Sequence, residues 1–438
     1  MSLAAVVMAG GLGTRMRSAT PKHLHPLLGR RMVDWVVASA RPLGADPLVV
    51  VASPETRGAF DGVEVAVQER PLGTGDALLA ARTALEGRAR ELLVLSGDTP
   101  LLTAELLADL LATHRSEAGA ATVLSFTPPD PRAYGRVIRG ADGTVQAIVE
   151  AVDATPEQLA AREVNSSIYV FDNTKVWPAL ERIEPVNAQG ELYLTDAVRL
   201  LVEDGERVSV HAAADPGETE GVNTRAELAA AAAALRDRIN AQHMAAGVTI
   251  VDPSSTWIEP EVELEPDCVI QPFTLLRGRT RVATGAEVGP HAVVLDTGIG
   301  ADVTVGPFCY LRPGTTLEAG AKAGTFAEIK NSHIGAGTKV PHLSYLGDAD
   351  VGPGTNIAAG NVTANFSHLP GRPKGRTTIG SNVRTGVDNT FKAPVAVGDD
   401  AWIYPGTVIT EDVPPGALAG FPPRQVNKEG YAYRDRND

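Results

Sequence analysis

The stretch TRAELAAAAAALRDRINAQHMAAG, Thr224 to Gly247, divides the chain into two parts with different sequence patterns. It is rich in Ala, Leu and Arg, the strongest helix formers, and holds no Gly or Pro before Gly247. Such a run predicts one long helix, stopped where glycine can take the left-handed backbone of a helix end. A low-complexity alanine tract would lack the Arg and Glu interspersed here. The helix reads as a rigid connector. We expect one domain over 1–222, the connector over 223–248 and a second domain over 249–438.

Before the connector, apolar runs alternate with helical patterns. LAAVVMA, PLVVVAS (Pro47–Ser53) and ELLVLSGD (Glu91–Asp98) read as buried strands, and GTGDALLAARTAL between them as helix. Strands alternating with helices predict a mostly parallel, doubly wound α/β sheet. In such sheets ligands sit beyond the carboxyl ends of the strands. Both the glycine-rich stretch after Met8 and the Ser96-Gly97-Asp98 turn fall there.

After the connector the helical pattern vanishes. Apolar residues recur every six positions: Val282, Val288, Val294; Val305, Leu311, Leu317; Val397, Ile403, Ile409. This is the period of hexapeptide β-helices, in which each repeat builds one side of a triangular coil and points one apolar side chain at the axis. An antiparallel sandwich has no reason to repeat every six residues. Glycines in VGP, IGA, IGS and VGD suit the corners. The step from Val294 to Ile299 is five, a slip expected where a bulge enters. A solenoid exposes a side face and an edge, so an oligomer is expected.

The 438 residues carry a net charge of −14, which argues against a broad nucleic-acid or acidic-membrane surface. No apolar run is as long as a membrane span, and no signal-peptide pattern opens the chain. Cys268 and Cys309, without CxxC spacing, argue against zinc and against a disulfide framework; a reducing cytoplasm fits.

The candidate chemistry begins at VVMAGGLGTRM, Val6 to Met16. No Lys-Ser/Thr pair closes this loop, so it is not a P-loop, and glycines at 10, 11 and 13 do not fit the dinucleotide fingerprint. What remains is either a backbone nest for phosphate or a turn with solvated basic side chains. Arg15 and Lys22 would add charge stabilisation for phosphoryl or nucleotidyl transfer. Asp98 either caps its turn or holds magnesium, which takes few protein oxygens; Asn223 is a candidate second oxygen.

MAGGLGTRM, PKHLHPL, QERPLGTGDA, LSGDTPLL, AYGRVIR, IVEAVDAT, NAQGELYLTD and EGVNTR follow one another in order. HMAAGVTIVDP, LRPGT, GTFAEIKNS, HLSYLGDADVG, TNIAAG and KEGY continue the series. Together they resemble the bacterial bifunctional N-acetylglucosamine-1-phosphate uridyltransferases / glucosamine-1-phosphate N-acetyltransferases. The resemblance implies a Rossmann-like nucleotidyltransferase domain followed by a left-handed parallel β-helix. It implies UTP and acetyl-CoA as co-substrates, Mg2+, a homotrimer, and no nucleic-acid or membrane partner.

Residue by residue, the resemblance implies that Arg15 stabilises the transition state and that Lys22 holds phosphate. Asp98 and Asn223 would hold the metal. Met8, Ala9, Gly10, Gly11, Ser96 and Gly97 would line the nucleotide-sugar site. Gln68, Gly73 and Thr74 would read uracil, and Gly135, Glu150 and Asn165 the sugar. In the second domain His342 would be the general base, a role suited to an imidazole near neutral pH. Arg312 and Lys330 would hold the acceptor's phosphate, with Tyr345 and Asn356 on its sugar. Ala359, Asn365, Phe366, Val387, Pro405 and Arg424 would meet acetyl-CoA.

This chain departs from the family pattern at several places. Gly10 replaces an Ala. Val152 replaces a Lys, removing a cation near the sugar phosphate. Asn165-Ser166-Ser167 replaces Asn-Thr-Gly. NFSHLPGRPKGR (365–376) is longer than the usual stretch, with Phe366 in place of a tyrosine, and Lys374 and Arg376 are available for CoA phosphates. Val387 and Pro405 replace Ser and Ala. These changes raise two alternatives: a nucleotidyltransferase whose β-helix is inactive, or one that acetylates another amino sugar. A non-catalytic regulatory protein of similar architecture would not need Arg15, Lys22, Asp98 and His342.

Overall fold

The computed structural model describes residues 2–11, 13–131, 133–367, 371, 373–420, 425–429 and 431. The chain divides into two compact units, 1–235 and 236–438.

The first unit is built on one mixed sheet. Its strand order is Val208–Ala212, Ala121–Phe126, Val164–Asp172, Glu91–Ser96, Leu3–Met8, Leu48–Ala52, Glu64–Val67. Leu3–Met8 pairs in parallel with Glu91–Ser96 on one side and with Leu48–Ala52 on the other. Val164–Asp172 runs antiparallel to both of its neighbours, which makes the sheet mixed. Along Leu3–Met8, successive side chains enter two different cores. Ala4, Val6 and Met8 face one, with Leu78, Trp177 and Val198; Leu3, Ala5 and Val7 face the other, with Val36, Leu107 and Leu110. Both faces are therefore covered by helices, which is why the strands read as unbroken apolar runs. The register Met8↔Ser96 brings the ends of the two central strands side by side, so the loops that follow them share one rim.

The helix Arg225–Ala245 follows the motif EGVNTR. Its start is fixed by Glu227, whose Oε2 accepts from the backbone N–H of Asn223 (2.7 Å) and of Thr224 (2.9 Å). The Thr224 hydroxyl accepts in return from the Glu227 N–H at 3.2 Å, a reciprocal cap that holds Asn223 in place. At the other end Gly247 has φ 94°. No helix among the described residues is long and apolar enough to cross a membrane.

The second unit is a parallel β-helix with three faces, its sheets holding six, nine and eight short strands; a three-stranded sheet lies near its end. Strand partners lie 17 or 18 residues apart through most of it, for example Leu276↔Val294 and Val282↔Ile299. The 17-residue coils absorb the five-residue step after Val294. Ile258, Leu276, Val294, Leu311, Ile329 and Leu346 form one axial stack, each fully buried. Full burial of one such side chain is worth roughly 1.5–3 kcal/mol, so the repeated axial position dominates the stability of the coils. One coil is longer: Val362 pairs with Thr390, 28 residues on, and the extra chain is the segment after Ala364.

Glycine takes left-handed corner positions, Gly289 and Gly306 of the VGP motifs among them, but not all of them. Many left-handed positions carry other residues, including Phe273, His291, Phe308, Phe326 and Leu343 on successive coils. Their rings stack at centroid distances of 4.7, 4.8 and 5.3 Å. Stacking against the same position one coil away offsets a backbone cost of about 1–2 kcal/mol per residue.

Candidate active sites

The first site lies at the shared rim of Leu3–Met8 and Glu91–Ser96. A cavity of about 380 Å3 is lined by Met8, Gly10, Gly11, Lys22, Gln68, Gly73, Thr74, Ser96 and Asp98, among others. Ala9 is buried beside it. Gly97 donates its N–H to the Met8 carbonyl at 2.9 Å, and a Cβ there would lie 2.8 Å from that oxygen. Only glycine lets the Ser96-Gly97-Asp98 turn cross the end of the neighbouring strand.

Four polar residues distant in sequence converge here. The Lys22 ammonium donates to the Asp98 carboxylate, and to Asn223 Oδ1 at 2.9 Å. Arg15 Nη2 donates to the same Asn223 oxygen at 2.9 Å. The Ser96 hydroxyl donates to Asp98 Oδ1 at 2.6 Å. Burial alone would raise the Asp98 pKa. The charges of Lys22 and His23 and the hydrogen bonds from Lys22 and Ser96 outweigh it and hold the group at about 2. His23 packs into the same floor, and burial, helped by the Lys22 charge, lowers its pKa to about 4 against the pull of Asp98. Among the described residues its Nδ1 is buried without a partner.

Gln68 Nε2 donates to the Gly73 carbonyl at 3.0 Å and to Asp76 Oδ2 at 2.8 Å. Gly73 has φ 120°, and a Cβ there would meet the Leu192 backbone at 2.5 Å, so this turn needs glycine. The Thr74 hydroxyl accepts from the Leu194 N–H at 2.9 Å. Gly135, Glu150 and Asn165 form a second group. The Gly135 carbonyl accepts from the Asn165 N–H at 2.9 Å, and a Cβ on Gly135 would lie 3.3 Å from Glu150 Oε2. Asn165 Nδ2 donates to the buried Tyr169 hydroxyl at 2.7 Å. Burial raises the Glu150 pKa; Asp153 and Asp196 add to that, while a Thr195 hydrogen bond opposes it. Val152 stands 60% exposed, so the missing lysine leaves no buried gap.

The second site lies on the β-helix. His342 ends the strand Lys339–His342 and is exposed. The 17-residue register Tyr345↔Val362 makes Ala359 the equivalent of His342 one coil on. Asp388 N–H donates to the Ala359 carbonyl and Gly406 N–H to the Val387 carbonyl, each at 2.9 Å. His342, Ala359, Val387 and Pro405 thus follow one another along a single column. Val387 is 45% and Phe366 67% exposed. Arg312 Nη1 donates to Glu328 Oε1 at 2.8 Å, and its guanidinium lies over the Tyr310 ring. Glu328 pairs with Tyr345 across the sheet, and Lys330 with Gly347, placing Arg312, Lys330 and Tyr345 on neighbouring coils of one face. Asn356 sits elsewhere on the coil, bridged to Lys339 and Arg384. Asn365 is buried and donates to Asp348, which also accepts from Asn331 Nδ2 at 2.5 Å. Arg424 lies outside the described residues.

Several contacts were not legible in the motifs. Asp76 lies inside GTGDA, but nothing in that string marks it as the partner of Gln68. Lys374 stands beside Lys330, and a hydrogen bond and charge repulsion from Lys330 lower its pKa. Arg376 is clamped by Asp350 through two hydrogen bonds, so its guanidinium is committed within the coil.

A glycine-lined cavity at the strand ends of an α/β sheet, followed by a parallel β-helix, fits a transferase of the nucleotidyltransferase class. A family model for the MobA-like NTP transferase domain matches residues 5–243. The chain is 46% identical to Bifunctional protein GlmU of Mycobacterium tuberculosis, over 99% of this chain and 92% of that protein. It is 46% identical to the Streptomyces coelicolor protein of that name (99% and 94% covered) and 47% to that of Mycobacterium marinum (99% and 93%). The chain belongs to the GlmU family of bifunctional transferases, the family whose ordered motifs its sequence resembles.

Proposed function

We propose that the chain makes UDP-N-acetylglucosamine in two steps. In the β-helix, acetyl-CoA acetylates glucosamine-1-phosphate: His342 takes a proton from the amino group, the nitrogen bonds to the thioester carbon, the C–S bond breaks, and CoA leaves as its thiol. In the α/β domain, a phosphate oxygen of N-acetylglucosamine-1-phosphate attacks the α-phosphorus of UTP, and pyrophosphate leaves. No covalent nucleophile is needed, so positioning and charge carry the second reaction. We assign the first activity to 249–438, the second to 1–222, and the helix between to 223–248.

The convergence of Arg15, Lys22, Asp98 and Asn223 on one strand-end rim carries this reading. Arg15 balances charge developing on the α-phosphate, Lys22 holds phosphate, and the glycine loop supplies backbone N–H groups. A carboxylate and an amide oxygen facing one cation are the hard donors that magnesium prefers, and Asp98 and Asn223 would hold it. Bound magnesium supplies neutralisation of the triphosphate charge. Glu150 and Asn165 orient the sugar. Arg312 and Lys330 bind the acceptor's phosphate and Tyr345 its ring, with Asn356 approaching from the face whose strand ends at His342. Ala359, Val387 and Pro405 contact acetyl-CoA along the column that begins at His342, and Asn365 and Phe366 contact it from the longer coil.

The exposed corner column of Phe273, His291, Phe308, Phe326 and Leu343 supports self-association of the β-helix as a homotrimer. The two buried free thiols suit a cytoplasmic location. The deciding experiment follows both products with two variants. Arg15→Ala should lower uridyl transfer roughly 10²–10³-fold while acetyl transfer persists; His342→Ala should do the reverse. A folded protein that makes UDP-N-acetylglucosamine but releases no CoA thiol would select the reading favoured by the exposed apolar Phe366 and Val387: a uridyltransferase whose β-helix does not acetylate glucosamine-1-phosphate.

A further inference from the structure

We propose that Asp76 is a positioning residue that locks the Gln68 side-chain amide with its oxygen toward the base, and so selects uracil over cytosine. The inference rests on the reading of Gln68 as the residue that meets the base.

The geometry permits one orientation of that amide. Gln68 is 5% exposed. Both groups facing Nε2, the Asp76 carboxylate at 2.8 Å and the Gly73 carbonyl at 3.0 Å, can only accept hydrogen bonds. Turning the amide over would set its oxygen against two other oxygens, lose two hydrogen bonds and leave buried acceptors unpaired. The carboxylate makes its bond the stronger of the two. Oε1 is therefore turned the other way, toward Gly10, where a Cβ would come within 2.5 Å of it. Gly10, which replaces the family's alanine, has no Cβ to cover that oxygen, and both residues line the cavity.

A fixed lone acceptor discriminates between pyrimidines. Uracil presents N3–H, a donor, at the edge where cytosine presents N3, an acceptor. Against Oε1, uracil gains a hydrogen bond, whereas cytosine sets two acceptors face to face. An amide free to turn would offer its NH2 to cytosine and erase the difference. Thymine shares the N3–H, so this contact does not exclude it.

The test compares kcat/KM for UTP and CTP in the full chain. The ratio cancels the fraction of folded protein. Asp76→Leu should lower the UTP/CTP ratio by about tenfold or more, the scale of one hydrogen bond gained or lost. Asp76→Asn, which keeps an acceptor oxygen for Nε2, should retain most of the preference. Equal losses on both nucleotides in Asp76→Leu would make Asp76 merely structural and overturn the proposal. Gln68→Ala separates the two levels. If it collapses the ratio while Asp76→Leu does not, only the lock fails; if it leaves the ratio unchanged, the reading of Gln68 fails with it.

Discussion

The Lys22 ammonium rests on the Asp98 carboxylate, with both side chains largely withdrawn from solvent. Asn223 Oδ1 accepts from the same ammonium. A cation of the protein thus stands between the two oxygens assigned to a metal. A divalent ion and the ammonium compete for these oxygens, and phosphate is the natural alternative partner for Lys22. Nucleotide and metal should therefore bind with positive coupling. Lys22→Met should tighten Mn2+ binding to the nucleotide-free protein by about tenfold or more, read by electron paramagnetic resonance of free Mn2+. No tightening would mean that the ion pair does not guard the site. Asp98→Asn should abolish the binding in either background.

His23 adds a pH dependence to the same floor. Its folded pKa, lowered to about 4 by burial and by Lys22, lies below the unfolded value near 6.5. Between those values the unfolded chain binds more protons than the folded one, so stability falls as the pH drops from about 6.5 to about 4. The shift corresponds to about 3 kcal/mol. His23→Leu should flatten the urea-midpoint profile over that window without altering it above pH 7. An unchanged acid slope would show that the imidazole does not titrate as described.

How far these sites were legible follows from what periodicity encodes. The axial residues Val282, Val288 and Val294 announce themselves because each points the same way after six residues. Strand direction leaves no such trace, so nothing in the composition of Val164–Asp172 distinguishes an antiparallel strand from a parallel one. Arg15 and Asn223 meet across 208 residues, a juxtaposition that only the ordered motifs suggested. The contact of Lys374 with Lys330 leaves no trace in the sequence pattern, because it depends on tertiary folding rather than on spacing.

Lys374, expected at the CoA phosphates, stands beside Lys330, which we propose binds the acceptor's phosphate. Two lysines side by side, whose repulsion lowers the Lys374 pKa against the pull of Asp348, would both be stabilised by a phosphate dianion. Lys374→Ala should raise the KM for glucosamine-1-phosphate by about tenfold, the scale of one charge-assisted hydrogen bond, and change the KM for acetyl-CoA less. The opposite pattern would return Lys374 to the CoA groove. Arg376→Ala removes the clamp on Asp350, and its effect should appear in stability.

Ser167 offers a test of local strain beside the proposed sugar site. It has φ 63°, in the left-handed region, where the register of Val164–Asp172 against Ala121–Phe126 shifts. The family pattern has glycine there. The Asn165 side chain eases the turn by accepting from the Ser167 N–H at 3.1 Å, and the Ser166 hydroxyl anchors it by donating to the Leu124 carbonyl at 2.6 Å. A residue with a Cβ costs about 1–2 kcal/mol in this conformation. Glycine avoids that cost but gives up about 0.5–1 kcal/mol through the greater freedom of its unfolded chain. Ser167→Gly should therefore stabilise the first unit by about 0.5–1 kcal/mol in urea unfolding. Because Asn165 keeps its hydrogen bond to the backbone N–H, the KM for the sugar phosphate should stay within about twofold. A destabilised variant would show that the serine side chain makes a contact worth more than the strain it imposes.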